Sequence, residues 1–319
     1  MYLNRSGILL VGMLLLCGCS SGFLGLAPIG DRQEYVQARA LYEQGRYQEA
    51  ITELSEYIYK TKNVKRREAR AYRLLGNSYE QLGLLNRALE VYSEALEFHP
   101  DNVPLLLASA RLYQQNGLTQ RSVAMYERAL QEDPDNTTAL SGQAVNYATL
   151  GFYSRAVTLY NRFFELATQT TPLDRARYAA MFFHQRQYES AFIHITLALE
   201  QEPTQPDFWL LSAKIRRGLH QPQAALADLE AALSLAPQRT DLLAYKALWL
   251  YEAGQYENSL RAVTAWQKLQ PDNLLTVFVQ ALNEHKQGKT KAARKEFSQI
   301  AEKSPDSFVG KVAKQLLTP

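Results

Sequence analysis

Apolar residues recur along this chain at steps of three and four, pause at a glycine, and then resume. The stretch from Ala69 to Pro100 shows the unit most clearly. Tyr72, Leu75 and Tyr79, with the small Gly76, form one apolar stripe; Gly83 interrupts it; Leu85, Ala88, Tyr92 and Ala95 form a second stripe that stops at Pro100. Such spacing on both sides of a turn residue predicts two amphipathic helices folded back on one another. Gly76 and Ala88 fall where the two would cross, and side chains that small let helix backbones approach closely. Pro100 lacks the N–H that a continuing helix needs, so it ends the second helix.

The unit returns along the chain. Pro100 and Pro134 lie 34 residues apart, Pro203, Pro237, Pro271 and Pro305 step by the same 34, and so do Gly83, Gly117 and Gly151, then Gly254 and Gly288. One helix pair cannot bury its apolar face alone, which is the physical reason for neighbours of the same kind. The residues of the unit and its 34-residue period resemble the tetratricopeptide repeat (TPR). That resemblance implies an all-α, right-handed superhelical solenoid of about eight TPR helix pairs with a C-terminal capping helix. Repeats are expected to start near 31, 69, 103, 137, 172, 206, 240 and 274, with the solenoid over residues 31–305 and the capping helix over 306–319.

Departures from the period matter as much as the period. Pro134 and Pro203 are 69 apart, so one extra residue precedes repeat five, and Phe163 and Phe164 stand where the repeat usually carries alanine and leucine. Bulk at that seam is expected to widen or rotate the stack locally, or simply to repack its core. Arg186 takes the usual glycine position of repeat five. Repeat one has no closing proline and runs instead into Lys60, Lys62, Lys65, Arg66 and Arg67, a basic run that suits a helix C-terminus or anionic headgroups.

Residues 1–18 read as a signal peptide, with Arg5 ahead of an apolar run from Ile8 to Leu16 that is too short to span a bilayer. Leu16-Cys17-Gly18-Cys19-Ser20 is similar to the lipobox of bacterial lipoproteins, although Cys17 departs from the commoner alanine or serine. The resemblance implies cleavage before Cys19, acylation of Cys19, a lipidated tether over 19–30 and, because Ser20 is not aspartate, sorting to the outer membrane with the chain on its periplasmic face. Multiple acyl chains make a lasting anchor where one would be marginal.

Composition narrows function without naming it. Charge is nearly balanced at +3 over 319 residues, against a general nucleic-acid binder. The chain has two cysteines, at 17 and 19, so neither a zinc site nor a framework of disulfides is expected. No Walker loop, nucleophile elbow or HExxH motif occurs, and the five histidines are scattered with no partner histidine four residues away. The reading is a binding protein, not an enzyme, with no cofactor and no metal.

In the family, partners bind in a concave groove lined by the first helix of each repeat. Carried onto this sequence, the groove takes Arg73, Asn77, Arg111, Gln114 and Gln115 from repeats two and three, and Arg177, Phe183, His184, Lys214 and Arg217 from repeats five and six. Between them repeat four offers Ser141, Gly142, Val145, Ala148 and Thr149, small residues expected to let another backbone come close, with the flanking cations pairing to its carboxylates. Arg73 and Asn77 match the first two places of the carboxylate clamp of chaperone-binding TPR proteins, but Ala108, Thr138 and Gly142 break the rest of it. Nearly the whole mature chain resembles bacterial TPR lipoproteins, among them TadD-like and pilotin-type pilus assembly proteins and NlpI-like envelope adaptors. Those resemblances imply a membrane-anchored scaffold for a pilus or secretion machine, an adaptor that recruits peptidoglycan enzymes or proteases, or a groove carrier of a glycan or lipid.

Overall fold

A computed structural model describes residues 33–60 and 68–318. The expected signal peptide, Cys19, the expected tether and residues 62–67 of the basic run therefore lie outside the described residues. Seventeen α-helices and no strand occur among the described residues. They fall into two compact units, the described residues up to 84 and those from 85 onward. The first unit holds α1 (Gln33–Glu43), α2 (Tyr47–Lys60) and α3 (Ala69–Gln81). Its core is Tyr35, Ala38, Leu54, Ile58, Tyr72 and Leu75, and the Tyr57 hydroxyl donates to Glu68 at 2.8 Å.

The second unit begins with α4 (Leu85–Phe98) and continues as α5 (Val103–Gln115), α6 (Thr119–Glu132), α7 (Thr137–Thr149), α8 (Tyr153–Leu166), α9 (Pro172–His184) and α10 (Tyr188–Gln201). It goes on through α11 (Pro206–Gly218), α12 (Pro222–Leu235), α13 (Thr240–Glu252), α14 (Tyr256–Leu269), α15 (Leu274–Lys286), α16 (Thr290–Lys303) and α17 (Phe308–Leu317). From α5 to α16 a 13-residue first helix alternates with a 14-residue second helix, and each pair is joined by a three-residue turn.

Those turns share one geometry. After α5, Gly117 N–H donates to the Gln114 carbonyl at 3.0 Å and Leu118 N–H to the Tyr113 carbonyl at 2.9 Å, which requires a left-handed residue at 117. Gly45, Gly83, Gly117, Gly151, Gly254 and Gly288 supply it, with φ between 71° and 82°. Repeats five and six make the same turn with Arg186 (φ 60°) and His220 (φ 58°), where a Cβ is strained.

Helix pairs are held by small residues facing one another. Ala110, Ala144, Ala179, Ala213, Ala247 and Ala281 on first helices, and Ala156, Ala191, Ala225 and Ala293 on second helices, are all fully buried. Twice a serine takes the second-helix place and shows how close the backbones come. Ser122 Oγ donates to the Ala110 carbonyl at 2.7 Å, and Ser259 Oγ to the Ala247 carbonyl at 2.7 Å. Each serine also accepts from an asparagine of the next repeat, Asn146 Nδ2 at 2.7 Å and Asn283 Nδ2 at 2.9 Å. These bonds tie successive repeats through otherwise apolar surroundings, where an unpaired hydroxyl would be costly. At the end of the chain α17 packs on α15 and α16 and buries Gly310 and Ala313.

Candidate functional face on the first helices

In the second unit α5, α7, α9 and α11 lie side by side in sequence, and α13 reaches α11 through side chains. Arg111 on α5 and Arg177 on α9 are exposed, one on each side of α7. Both charges act on the Tyr126 hydroxyl, opposing the rise in its pKa that burial causes. Both cations thus act on the Tyr126 ring, which packs against Gly142 of α7.

The floor between them is more closed than its small residues suggest. A Cβ built on Gly142 would sit 2.3 Å from Tyr126 Cζ, so the room left by that glycine belongs to the tyrosine ring of the preceding helix. Gln114 is half-buried, and its amide donates to Asn146 Oδ1 at 2.7 Å and to the Gly142 carbonyl at 3.3 Å, spending its donors on α7. Val145 is partly buried against the cluster around Leu140 and Tyr160, and Ser141 Oγ donates to the Thr138 carbonyl at 3.3 Å. A backbone entering here would meet Ser141 and Thr149, not an open trough. In the first unit Arg73 is exposed and Asn77 half-buried on α3.

An open depression of about 460 Å³ lies further along the same face, lined by Phe183, Tyr188, Lys214, Arg217, Gly218, Tyr245 and Trp249. Lys214 Nζ stands 4.6 Å over the Tyr245 ring, and the Arg217 guanidinium 4.7 Å over Trp249. Both cations are thereby held against aromatic faces, an arrangement that keeps charge in place on an apolar floor. Arg217 also pairs with Glu252 at 2.5 Å. Gly218 lets the Tyr188 ring lie on α11, since a Cβ there would come within 2.5 Å of it. His184 stacks on Tyr153 at 4.5 Å with the rings 4° from parallel, and burial, aided by the charge of Lys214, pulls its pKa below the usual histidine range. The left-handed Arg186 and His220 close the two helices, α9 and α11, that border this depression.

The structure thus brings Phe183, Lys214 and Arg217 together and gives them Tyr188, Tyr245 and Trp249, none of which is among the expected groove residues. One signal was present: Tyr245 and Trp249 lie at the sixth and tenth places of their repeat, outside the places that the tyrosines elsewhere fill. Among the described residues no group of three or more His, Cys, Asp or Glu is placed to hold a metal ion, and no helix is long and apolar enough to cross a membrane.

Comparison with known proteins agrees with this architecture. Two family models of the tetratricopeptide repeat match residues 35–103 and 80–144. No curated protein sequence matches the chain. Among solved structures, a tetratricopeptide repeat protein from Parabacteroides merdae is 18% identical with a TM-score of 0.58, over 79% of this chain and 99% of that one. The C-terminal part of a TPR repeat-containing protein from Cytophaga hutchinsonii is 16% identical with a TM-score of 0.58, over 77% and 98%. A structure of the APC/C hetero-tetramer Cut9–Hcn1 is 14% identical with a TM-score of 0.59, covering 93% of this chain and 57% of that one. At such identities the likeness is one of fold. Repeat models match residues 35–144, and the paired helices of the described residues share the fold of these solved structures, so the chain is similar to tetratricopeptide-repeat proteins in fold.

Proposed function

We propose that the chain is a membrane-anchored scaffold, held by acylated Cys19 on the periplasmic face of a bacterial outer membrane, that binds partner proteins for assembly of an envelope machine such as a pilus or secretion system. The observation that carries the binding half is the depression on α9, α11 and α13, where Lys214 and Arg217 are held over Tyr245 and Trp249. Fixed cations on an aromatic floor suit an extended segment with alternating acidic and apolar side chains. Arg177 and Arg111 continue the positive line along the face toward α5. An open, cation-bearing floor suits a peptide better than a lipid, which needs an enclosed apolar cavity.

The binding half is tested by co-purifying envelope partners with wild type, with Lys214→Ala combined with Arg111→Ala, and with Ser141→Trp, at two salt concentrations and with helicity checked in parallel. Both variants are expected to lose partners while folded. Exposed charge should also matter less at high salt, because the Debye length falls from about 10 Å at 0.1 M to about 3 Å at 1 M. Unchanged partners in every folded variant would show that another face is used. The anchor half rests on the lipobox-like residues alone; intact mass and fractionation of Cys19→Ser should show an unprocessed or released protein, and an unchanged mass and location would refute acylation.

A further inference from the structure

Away from the first-helix face, a second cavity of about 480 Å³ opens where α8, α9 and α10 meet, with Asn161, Phe164, Thr168, Arg175, Tyr178 and His194 in its lining. Three departures from the repeat pattern converge there. The connection from α8 to α9 has five residues where the other connections between repeats in this unit have four. Phe164 follows Phe163 at the end of α8. Most telling is Arg175: the fourth place of repeats two to eight is otherwise held by Tyr72, Leu106, Leu140, Trp209, Leu243 and Val277, all packing residues.

An arginine in a packing position is expected to find a carboxylate or to be pushed into solvent. Arg175 has no carboxylate partner among the described residues and stays half-buried. Its guanidinium lies 4.8 Å over the Phe164 ring, and its Nε is buried with no hydrogen-bond partner in the protein. His194 on α10 is packed at 4.5 Å on Tyr178 and runs nearly parallel to Phe182, 7° apart at 5.7 Å; its Nδ1 is likewise buried without a partner. Burial, reinforced by the nearby charge of Arg175, holds the His194 pKa below its usual range. Tyr178 is already committed, since its hydroxyl donates to Asn161 Oδ1. Arg175 and His194 therefore both line one cavity between aromatic walls, and each keeps a buried nitrogen whose hydrogen bond is unmade in the protein.

We propose that this cavity binds a carboxylate carried on a planar apolar body, with Arg175 and His194 as donors to the carboxylate and Phe164 and Tyr178 as walls for the body. The volume fits a small ligand. A guanidinium and an imidazolium are the natural donors for a carboxylate, and a charge-assisted pair in a partly dry site is stronger than a neutral hydrogen bond. Glu165 stands exposed at the mouth. It repels an approaching anion weakly and favours entry with the charge pointing inward at Arg175. Either a free aromatic acid or the C-terminal carboxylate of a peptide ending in an aromatic residue presents this chemistry.

The test is calorimetric titration of the full chain with benzoate, benzamide, inorganic phosphate, and a pentapeptide ending in phenylalanine as free acid or amide, together with the His194 ring-proton resonance followed against pH. Benzoate should bind and raise the apparent pKa of His194, because the anion favours the imidazolium. Benzamide and Arg175→Gln should each weaken binding by about tenfold, the loss expected of one charge-assisted hydrogen bond. His194→Phe, which keeps the aromatic packing, should weaken benzoate as well, and Glu165→Gln should tighten it about twofold. A peptide acid that outbinds benzoate, with its amide inactive, would identify a chain terminus as the ligand; a peptide acid that binds no better than benzoate would identify a free acid; and a peptide amide that binds as well as the acid would overturn the proposal. No heat and no His194 shift with benzoate or the peptide acid, equal affinity in folded Arg175→Gln, or phosphate binding in place of benzoate would each overturn the proposal. Lys214→Ala should leave benzoate binding unchanged, so the outcome is independent of the partner face.

Discussion

Two neighbouring seams of the second unit are built on opposite terms. Where the third repeat meets the fourth, Ser122, Asn146 and Gln114 form a chain of hydrogen bonds from the Ala110 carbonyl across to α7, and each bond is between 2.7 Å and 3.3 Å. Where the fourth meets the fifth, Tyr160, Phe163, Phe164, Tyr178 and His194 pack ring against ring, edge-on, tilted or stacked, while Arg175 Nε and His194 Nδ1 find no partner in the protein. The first seam uses polar atoms to fix register and satisfies them. The second keeps polar atoms unsatisfied beside a cavity, where the connection between repeats is one residue longer than the others of this unit. Buried polar groups that are paired serve structure, and unpaired ones that line an opening point to a ligand.

The largest effect expected from breaking that contrast lies in the satisfied seam. Asn146→Leu strips Ser122 and Gln114 of their shared partner and should lower stability by about 2 to 3 kcal/mol, the cost of leaving buried groups unpaired. The same change at Asn283, which also bonds Ser259 and the Val279 carbonyl, should cost a similar amount. Urea unfolding followed by circular dichroism measures both. In the unsatisfied seam, His194→Phe should change stability by no more than about 0.5 kcal/mol, because it removes a polar atom that pairs with nothing. Equal losses at Asn146 and His194 would erase the distinction.

Between these extremes stand two changes that sharpen it. Arg186→Gly relieves a left-handed arginine and should raise stability by about 1 kcal/mol, and His220→Gly should do the same. If the depression bordered by those turns depends on their strain, partner binding should weaken as stability rises. Glu296 on α16 shares Gln280 with Glu284, and burial with the Glu284 charge raises its pKa to about 7. The folded state then holds a proton that the unfolded chain releases near pH 4.5, so stability is lost as pH rises from about 4.5 through 7. Glu296→Gln should raise stability at pH 8 by about 1 kcal/mol, a value reduced for partial exposure, and leave it unchanged at pH 4. Parallel melting curves of mutant and wild type at both pH values would contradict the shared carboxyl site.

Much of the fold was legible from residues that constrain the backbone directly. Gly83, Gly117 and Gly151 supply the left-handed turn, and small residues such as Ala110 and Ala156 mark helix crossings whatever their surroundings. The site was legible only in part. Lys214 and Arg217 followed from their places on the first helices, but their aromatic floor did not, because Tyr245 and Trp249 look like core residues until the neighbouring helix is in place. Gly142 and Gln114 were read as open groove for the same reason: Tyr126 fills the one and Asn146 binds the other, and both partners come from helices that the local pattern does not pair with them. Arg175 carried a signal in its own position, an arginine where each other repeat from the second to the eighth has a packing residue.

The most direct test of the partner face is site-specific photo-crosslinking in the envelope, with the photoreactive residue placed at Lys214 in the depression or at Gln131, exposed on the second helix α6. A partner face on the first helices predicts a discrete crosslinked species from 214 that disappears in the Ser141→Trp or Arg111→Ala background, and none from 131. The same species from both positions, or one from 131 alone, would contradict it.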